Sequence, residues 1–197
     1  MSRGMASSYG SVAIGLHWAI AALFFGQVAL GFTMERVKSM ALQFELIQWH
    51  KSFGFLILAL AALRLSWRVA TGPVQAAPGL SPVERWAANF VQGALLALTL
   101  AVPLAGWALA STSTLGIPSF VFDLVVVPHL PLRPSDEAEA LWRQAHGLLA
   151  YATLVLALGH AGAALRHHFM LGDGVLARML PGLPGRARLT DGRNDDA

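Results

Sequence analysis

The chain is 197 residues long, 55% hydrophobic and only 13% charged, with a mean hydropathy of +0.55, a balance that excludes water as its sole solvent and points to a membrane. It contains no cysteine, which excludes disulfides, thiolate metal sites, iron–sulfur clusters and a covalent C-x-x-C-H haem attachment. The net charge of +3 comes from basic residues at segment ends and in the tail rather than from a stripe with interleaved aromatics, so it does not indicate a nucleic-acid partner.

A membrane-crossing helix needs about 20 mostly apolar residues, and four segments qualify: residues 12–34, 47–69, 87–110 and 142–165. The expectation is an all-α integral membrane four-helix bundle, one domain over residues 1–170, followed by a tail over 171–197. The first segment is too long for a signal-peptide core of about 7 to 15 residues and lacks a clear cleavage site, so it reads as a mature helix. A short polar connection, "ERVKSMALQFEL", has room for a helical turn but no domain. Next comes the proline-rich linker "ATGPVQAAPGLSP", in which Ser81 and Pro82 have the character of an N-cap and a first-turn residue for the third helix. The longest connection, residues 111–141, carries the apolar stretch "IPSFVFDLVVVPHLPL" and is expected on the outer membrane surface. After Arg166 the chain turns amphipathic and then polar, which reads as a surface-lying segment and a disordered tail.

Placing both termini in the cytoplasm puts Arg3, Arg64, Arg68, Arg85, Arg166, Arg178, Arg186, Arg188 and Arg193 inside, against Arg36, Lys38, Lys51, Arg133 and Arg143 outside. The positive-inside rule favours that topology. The six tryptophans mostly fall near segment ends, as an aromatic belt requires. Pro103 is expected to kink the third helix, which carries no histidine and reads as a wall rather than a source of ligands.

An ionisable side chain inside a membrane helix is costly and by default functional. Here there are four: His17, His50, His146 and His160. With the first helix starting inside and the second and fourth starting outside, His17 matches His160 in depth and His50 matches His146. His146 and His160 are 14 residues apart, which is about 1400° of helical rotation, within about 40° of four turns, and about 21 Å of axial rise. They share a face, with room for two stacked planar cofactors. Two facing neutral imidazoles without thiolates or carboxylates suit the axial positions of a b-type haem iron and favour electron transfer over gas binding. Gly54, one turn from His50, and the small residues 161–164 leave space for a flat macrocycle, although small residues also serve plain helix packing. A zinc or copper transport site is the rival, but it wants all four histidines together or carboxylates beside them.

Other polar residues have blander readings. A single membrane histidine can simply hydrogen-bond across helices. His167 and His168 suit the negative end of the fourth helix and lipid headgroups, while His129 reads as a loop residue, with a substrate entrance as the second reading. Lys51 and Arg64 could partner anionic haem propionates or merely snorkel, and both readings stand. Arg68 reads as a topology anchor.

The stretches "YGSVAIGLHWAIAALFFGQVALGFTM", "WHKSFGFLILALAALRLSWR" and "AHGLLAYATLVLALGHAGAALRHHF" resemble the bacterial cytochrome b561 family over residues 9–169, specifically in the first, second and fourth helices and weakly in the third. The resemblance implies a multi-pass inner-membrane protein holding two haem b groups on His17, His50, His146 and His160. It also implies single-electron transfer, from superoxide or another one-electron donor on the outer side to membrane ubiquinone, which would make the chain an oxidoreductase without further catalytic residues. The alternative within the resemblance is a membrane-anchor cytochrome subunit that takes electrons from a redox protein partner, a dehydrogenase or hydrogenase. A non-redox transporter or scaffold stands outside it, and the lack of broken helix pairs and membrane carboxylates weighs against that third reading.

Overall fold

The computed structural model describes residues 10–72, 81–172 and 176–180. Four long helices dominate: α1 (Ser11–Met34), α2 (Met40–Thr71), α3 (Pro82–Thr112) and α4 (Asp136–Arg166). Each is long and apolar enough to cross a membrane, and together they form an all-α integral membrane bundle. The expected disordered tail lies outside the described residues from 181 onward.

Three helices begin earlier than hydropathy alone indicates, because caps rather than apolar runs set their ends. Ser39 accepts from the Leu42 amide at 3.4 Å and starts α2 inside the stretch read as a connection. Ser135 accepts from the Ala138 amide at 3.1 Å, and Asp136, Glu137 and Glu139 then occupy the first turn of α4, where the positive end of the helix favours them. At α3 the expected cap is present as a full capping box between Ser81 and Glu84, with Pro82 next in the chain.

Close backbone packing joins α1 to α2, α2 to α3 and α3 to α4. Among the long helices, α4 packs extensively only on α3, and Thr153 is its one buried residue. The buried apolar set comes from the other three: Leu16, Ile20 and Phe24 of α1, Ile57 and Ala61 of α2, and Ala105 and Ala108 of α3. The face that α4 turns toward α1 and α2 is therefore not closed by backbone contact.

The long connection holds a small β-hairpin, β1 (Ser119–Val121) and β2 (Val125–Val127), antiparallel with Phe120 opposite Val126. Its turn residues Phe122 and Asp123 both have positive φ, 51° and 55°, the twist that tight hairpins favour. No Asn-Gly or Asp-Gly marks it, so its apolar stretch reads from sequence only as a surface patch. The hairpin is stapled to α2. Gln48 accepts from the Phe120 amide at 3.3 Å and donates to the Pro118 carbonyl at 3.3 Å. Ser52, 2% exposed, accepts from the Phe122 amide at 3.0 Å. Trp49, Phe53 and Phe122 pack ring against ring beside these bonds. On the other flank, Trp107 donates to the Pro128 carbonyl and Ser111 accepts from the Leu130 amide.

At the opposite end of the bundle α4 passes into a π-helical turn, His167–Leu171, which stops at Gly172 with φ 64°. The short 3-10 turn Leu176–Arg178 follows, and Trp18 of α1 donates to the Met179 carbonyl at 2.8 Å, tying this segment to the start of α1.

Candidate functional site

Two pairs of imidazoles bridge α4 to its neighbours, one near each end of the bundle. On the hairpin side His50 of α2 faces His146 of α4, with ring centroids 6.0 Å apart and planes at 82°. On the side where α1 begins and α4 ends, His17 faces His160 at 6.3 Å and 79°. Both pairs cross to α4 from helices on which α4 does not pack extensively.

Each hairpin-side histidine has its own support. The Nδ1 of His146 lies 3.0 Å from the Val102 carbonyl. A carbonyl only accepts, so Nδ1 carries the proton and Nε2 keeps the lone pair of a neutral imidazole. Gly106, one turn after Val102, lies against the same ring: a Cβ there would stand 3.1 Å from Cε1 and 3.2 Å from Nδ1 of His146. The third helix carries no histidine, but it does supply this carbonyl and this close approach. His50 is reached from α1. Gln27 Nε2 donates to its backbone carbonyl at 2.7 Å, and a Cβ at Gly31 would meet its Cε1 at 3.7 Å.

The other pair is built differently. Arg64 Nη1 lies 3.1 Å from His17 Nδ1, and a guanidinium has no acceptor, so Nδ1 must offer the lone pair. In this arrangement a neutral His17 carries its proton on Nε2. Ligation through Nε2 therefore requires Arg64 to release Nδ1. Trp18 packs edge-on against His17 with centroids 5.3 Å apart.

Lys51 projects to the long connection between α3 and α4 instead of to a histidine. Its Nζ lies 3.4 Å from the Ile117 carbonyl and 3.5 Å from that of Pro118. His129 Nε2 meets the same Ile117 carbonyl at 3.3 Å, which brings two residues read separately in the sequence to one point. His168 packs on Phe169 in the turn after α4.

Two imidazoles on opposite sides of one metal, each about 2 Å from it through nitrogen and about 1 Å further to the ring centre, have centroids about 6 Å apart. Both pairs meet that spacing. Neither is joined by a third donor: among the described residues no group of three or more His, Cys, Asp or Glu gathers. Two-donor sites between spaced membrane helices suit a planar macrocycle that fills the remaining metal positions itself. His50 Nδ1, buried and without a hydrogen-bond partner, is consistent with a site whose polar groups are organised around a further group.

Four membrane-crossing helices with paired imidazoles between them fit the class of membrane cytochromes b. A model of the family described as prokaryotic cytochrome b561 matches residues 8–182. The chain is 31% identical to "Cytochrome b561 homolog 2" of Escherichia coli strain K12, over 87% of this chain and 90% of that one. It is 32% identical to "Cytochrome b562" of Cereibacter sphaeroides, over 87% and 94%. With "Probable superoxide oxidase CybB" of Yersinia pestis it shares 27% identity, over 90% and 98%. The chain belongs to the prokaryotic cytochrome b561 family, and is thus a bacterial membrane protein of electron transfer that binds b haem.

Gln27, Val102 and Gly106 are the residues that the sequence reading passes over. Gln27 alone left a signal, an amide deep in an apolar helix, where a polar group calls for a named partner.

Proposed function

We propose that the chain carries single electrons across the bacterial inner membrane with two haem b groups, one held by His50 and His146 and the other by His17 and His160. The observation that carries this reading is the pair of imidazole spacings, 6.0 and 6.3 Å, each matching the span of two axial ligands. Haem bound between these histidines would supply reversible one-electron oxidation and reduction.

The protein's own residues position and tune. Val102 holds the His146 ring in the tautomer whose Nε2 can ligate. Gly106 lets that ring sit against α3. Arg64, once it releases His17, is placed to pair with an anionic propionate on the terminus side. Lys51 and His129, gathered at the Ile117 carbonyl, put cationic and hydrogen-bonding character on the hairpin side, where they favour an anionic donor.

The distribution of arginines supports a cytoplasmic terminus side and an outer hairpin side. A similarity to a relative named a probable superoxide oxidase supports superoxide as the outer donor, and the family supports a quinone, here read as ubiquinone in the lipid, as the acceptor. Two superoxide anions give up one electron each and become dioxygen, and one ubiquinone takes up both electrons with two protons to become ubiquinol. A reduced-minus-oxidised spectrum with haem quantitation on the detergent-purified protein is the test. About two b haems per chain with bis-histidine spectra support the reading, whereas colourless protein sinks it. Superoxide-dependent reduction of ubiquinone in liposomes then tests the donor and the acceptor.

A further inference from the structure

Around His50 two buried polar atoms stand without partners, and they belong to residues that already touch. One is His50 Nδ1 and the other is Gln27 Oε1. The orientation of the Gln27 amide is not free: its other end lies 2.7 Å from the His50 carbonyl, and only an N–H can donate there, so Nε2 belongs at that position and Oε1 is the oxygen left over. An amide oxygen accepts and cannot donate. A ligand histidine that binds metal through Nε2 carries its proton on Nδ1 and needs an acceptor for it. The two unpartnered atoms are therefore complementary.

The local packing is arranged for this contact. Gly31 lies one turn beyond Gln27 on α1, and Gly54 lies one turn beyond His50 on α2. A Cβ at Gly31 would meet His50 Cε1 at 3.7 Å, and one at Gly54 would meet Gln27 Nε2 at 3.5 Å. A small residue on each helix thus faces the long polar side chain of the other, which brings the backbones close at this level. A glutamine in the apolar part of a membrane helix is costly unless it is satisfied, and the bond to the His50 carbonyl satisfies only half of its amide.

We infer that Gln27 Oε1 accepts the Nδ1–H of His50, making Gln27 a positioning residue that fixes the His50 tautomer and ring direction as the Val102 carbonyl does for His146. This rests on the reading of His50 as a haem ligand. Acceptors on Nδ1–H raise ligand basicity and stabilise the oxidised metal, so Gln27 holds down the potential of the hairpin-side haem.

The test is a spectroscopic redox titration, with low-spin EPR, of the full haem-loaded chain carrying Gln27→Leu or Gln27→Glu. The hairpin-side component is the one that His50→Ala removes. Gln27→Leu raises the midpoint of that component, Gln27→Glu keeps an oxygen acceptor and holds it at or below the wild-type value, and the other component stays in place in both. An unshifted hairpin-side midpoint in a fully loaded Gln27→Leu protein, or an equal rise in both variants, overturns the inference. If Gln27→Leu fails to load, Gln27→Glu decides: a raised hairpin-side midpoint overturns the inference and an unchanged or lowered one supports it. Wild-type protein without haem would overturn the functional reading and this inference with it. Haem-replete wild type with unshifted variants overturns the inference alone.

Discussion

The two histidine pairs share ring spacing and both bridge to α4, yet the groups behind the rings differ in kind. On the hairpin side His146 donates to a backbone carbonyl, and Gln27, whose Nε2 donates to the His50 carbonyl, leaves its amide oxygen unpartnered. On the terminus side a guanidinium faces His17. Acceptors make an imidazole a stronger donor to its metal and favour the oxidised state, while a nearby cation favours the electron-rich state. On the proposed reading, the two ligand pairs would stand in two different electrostatic settings at their rings, with Lys51 further out at the Ile117 and Pro118 carbonyls. If the hairpin-side haem has the lower potential and the terminus-side haem the higher, electrons would run from the hairpin side to the terminus side.

Removing ligands is the largest perturbation and tests whether the pairs are independent. His50→Ala and His146→Ala should each lower haem content from about two per chain to about one and abolish the same spectral component. His17→Ala and His160→Ala should each abolish the other. If His17→Ala and His50→Ala lose the same component, the pairing is wrong. Next in size is Gly106→Ala. The added methyl must displace the His146 ring, because it would stand 3.1 Å from Cε1, and outer supports of a ligand are worth about 10 to 100-fold in metal affinity. The hairpin-side haem should be depleted or spectrally shifted, with the terminus-side haem at full occupancy. Equal depletion of both would mean that Gly106 serves general packing.

Arg64 sharpens the electrostatic half of the comparison. Arg64→Leu should lower the terminus-side midpoint potential and leave the hairpin-side one in place. Arg64→Lys should recover part of the shift, because it restores the charge without the planar fork. A titration in which Leu and Lys behave alike would assign Arg64 to packing rather than to charge.

What could be read in the sequence was whatever rests on one helix or on helix order. The spans follow from hydropathy, and the proximity of His17 to His160 and of His50 to His146 follows from depth and from the shared face of α4. Supports that depend on lateral packing were not legible. Nothing in "TLAVPLAGW" says that the Val102 carbonyl points at a histidine 44 residues later, because backbone acceptors carry no residue signature. The hairpin stayed hidden because Phe122 and Asp123 take positive φ where a glycine would have announced the turn. Lys51 was open between propionate and snorkelling, and its contacts lie instead with the Ile117 and Pro118 carbonyls, a choice made by a loop that folds back from 66 residues away.

That loop yields the smallest expected effect and the cleanest separation of scaffold from site. Gln48 and Ser52 flank His50 by two residues on either side, but their side chains turn to the hairpin. Ser52→Ala leaves the Phe122 amide without its acceptor and Gln48→Ala does the same for Phe120, each costing about 1–3 kcal/mol where the group stays buried. That energy sits locally, since the transmembrane helices make their own contacts. Hydrogen exchange should accelerate at the amides of residues 119–127 and nowhere in α3 or α4, with both haem potentials retained. A shift in the hairpin-side potential of Ser52→Ala would show instead that the hairpin helps set the direction of the His50 ring, and the line between support and ligand on α2 would have to be drawn two residues further out.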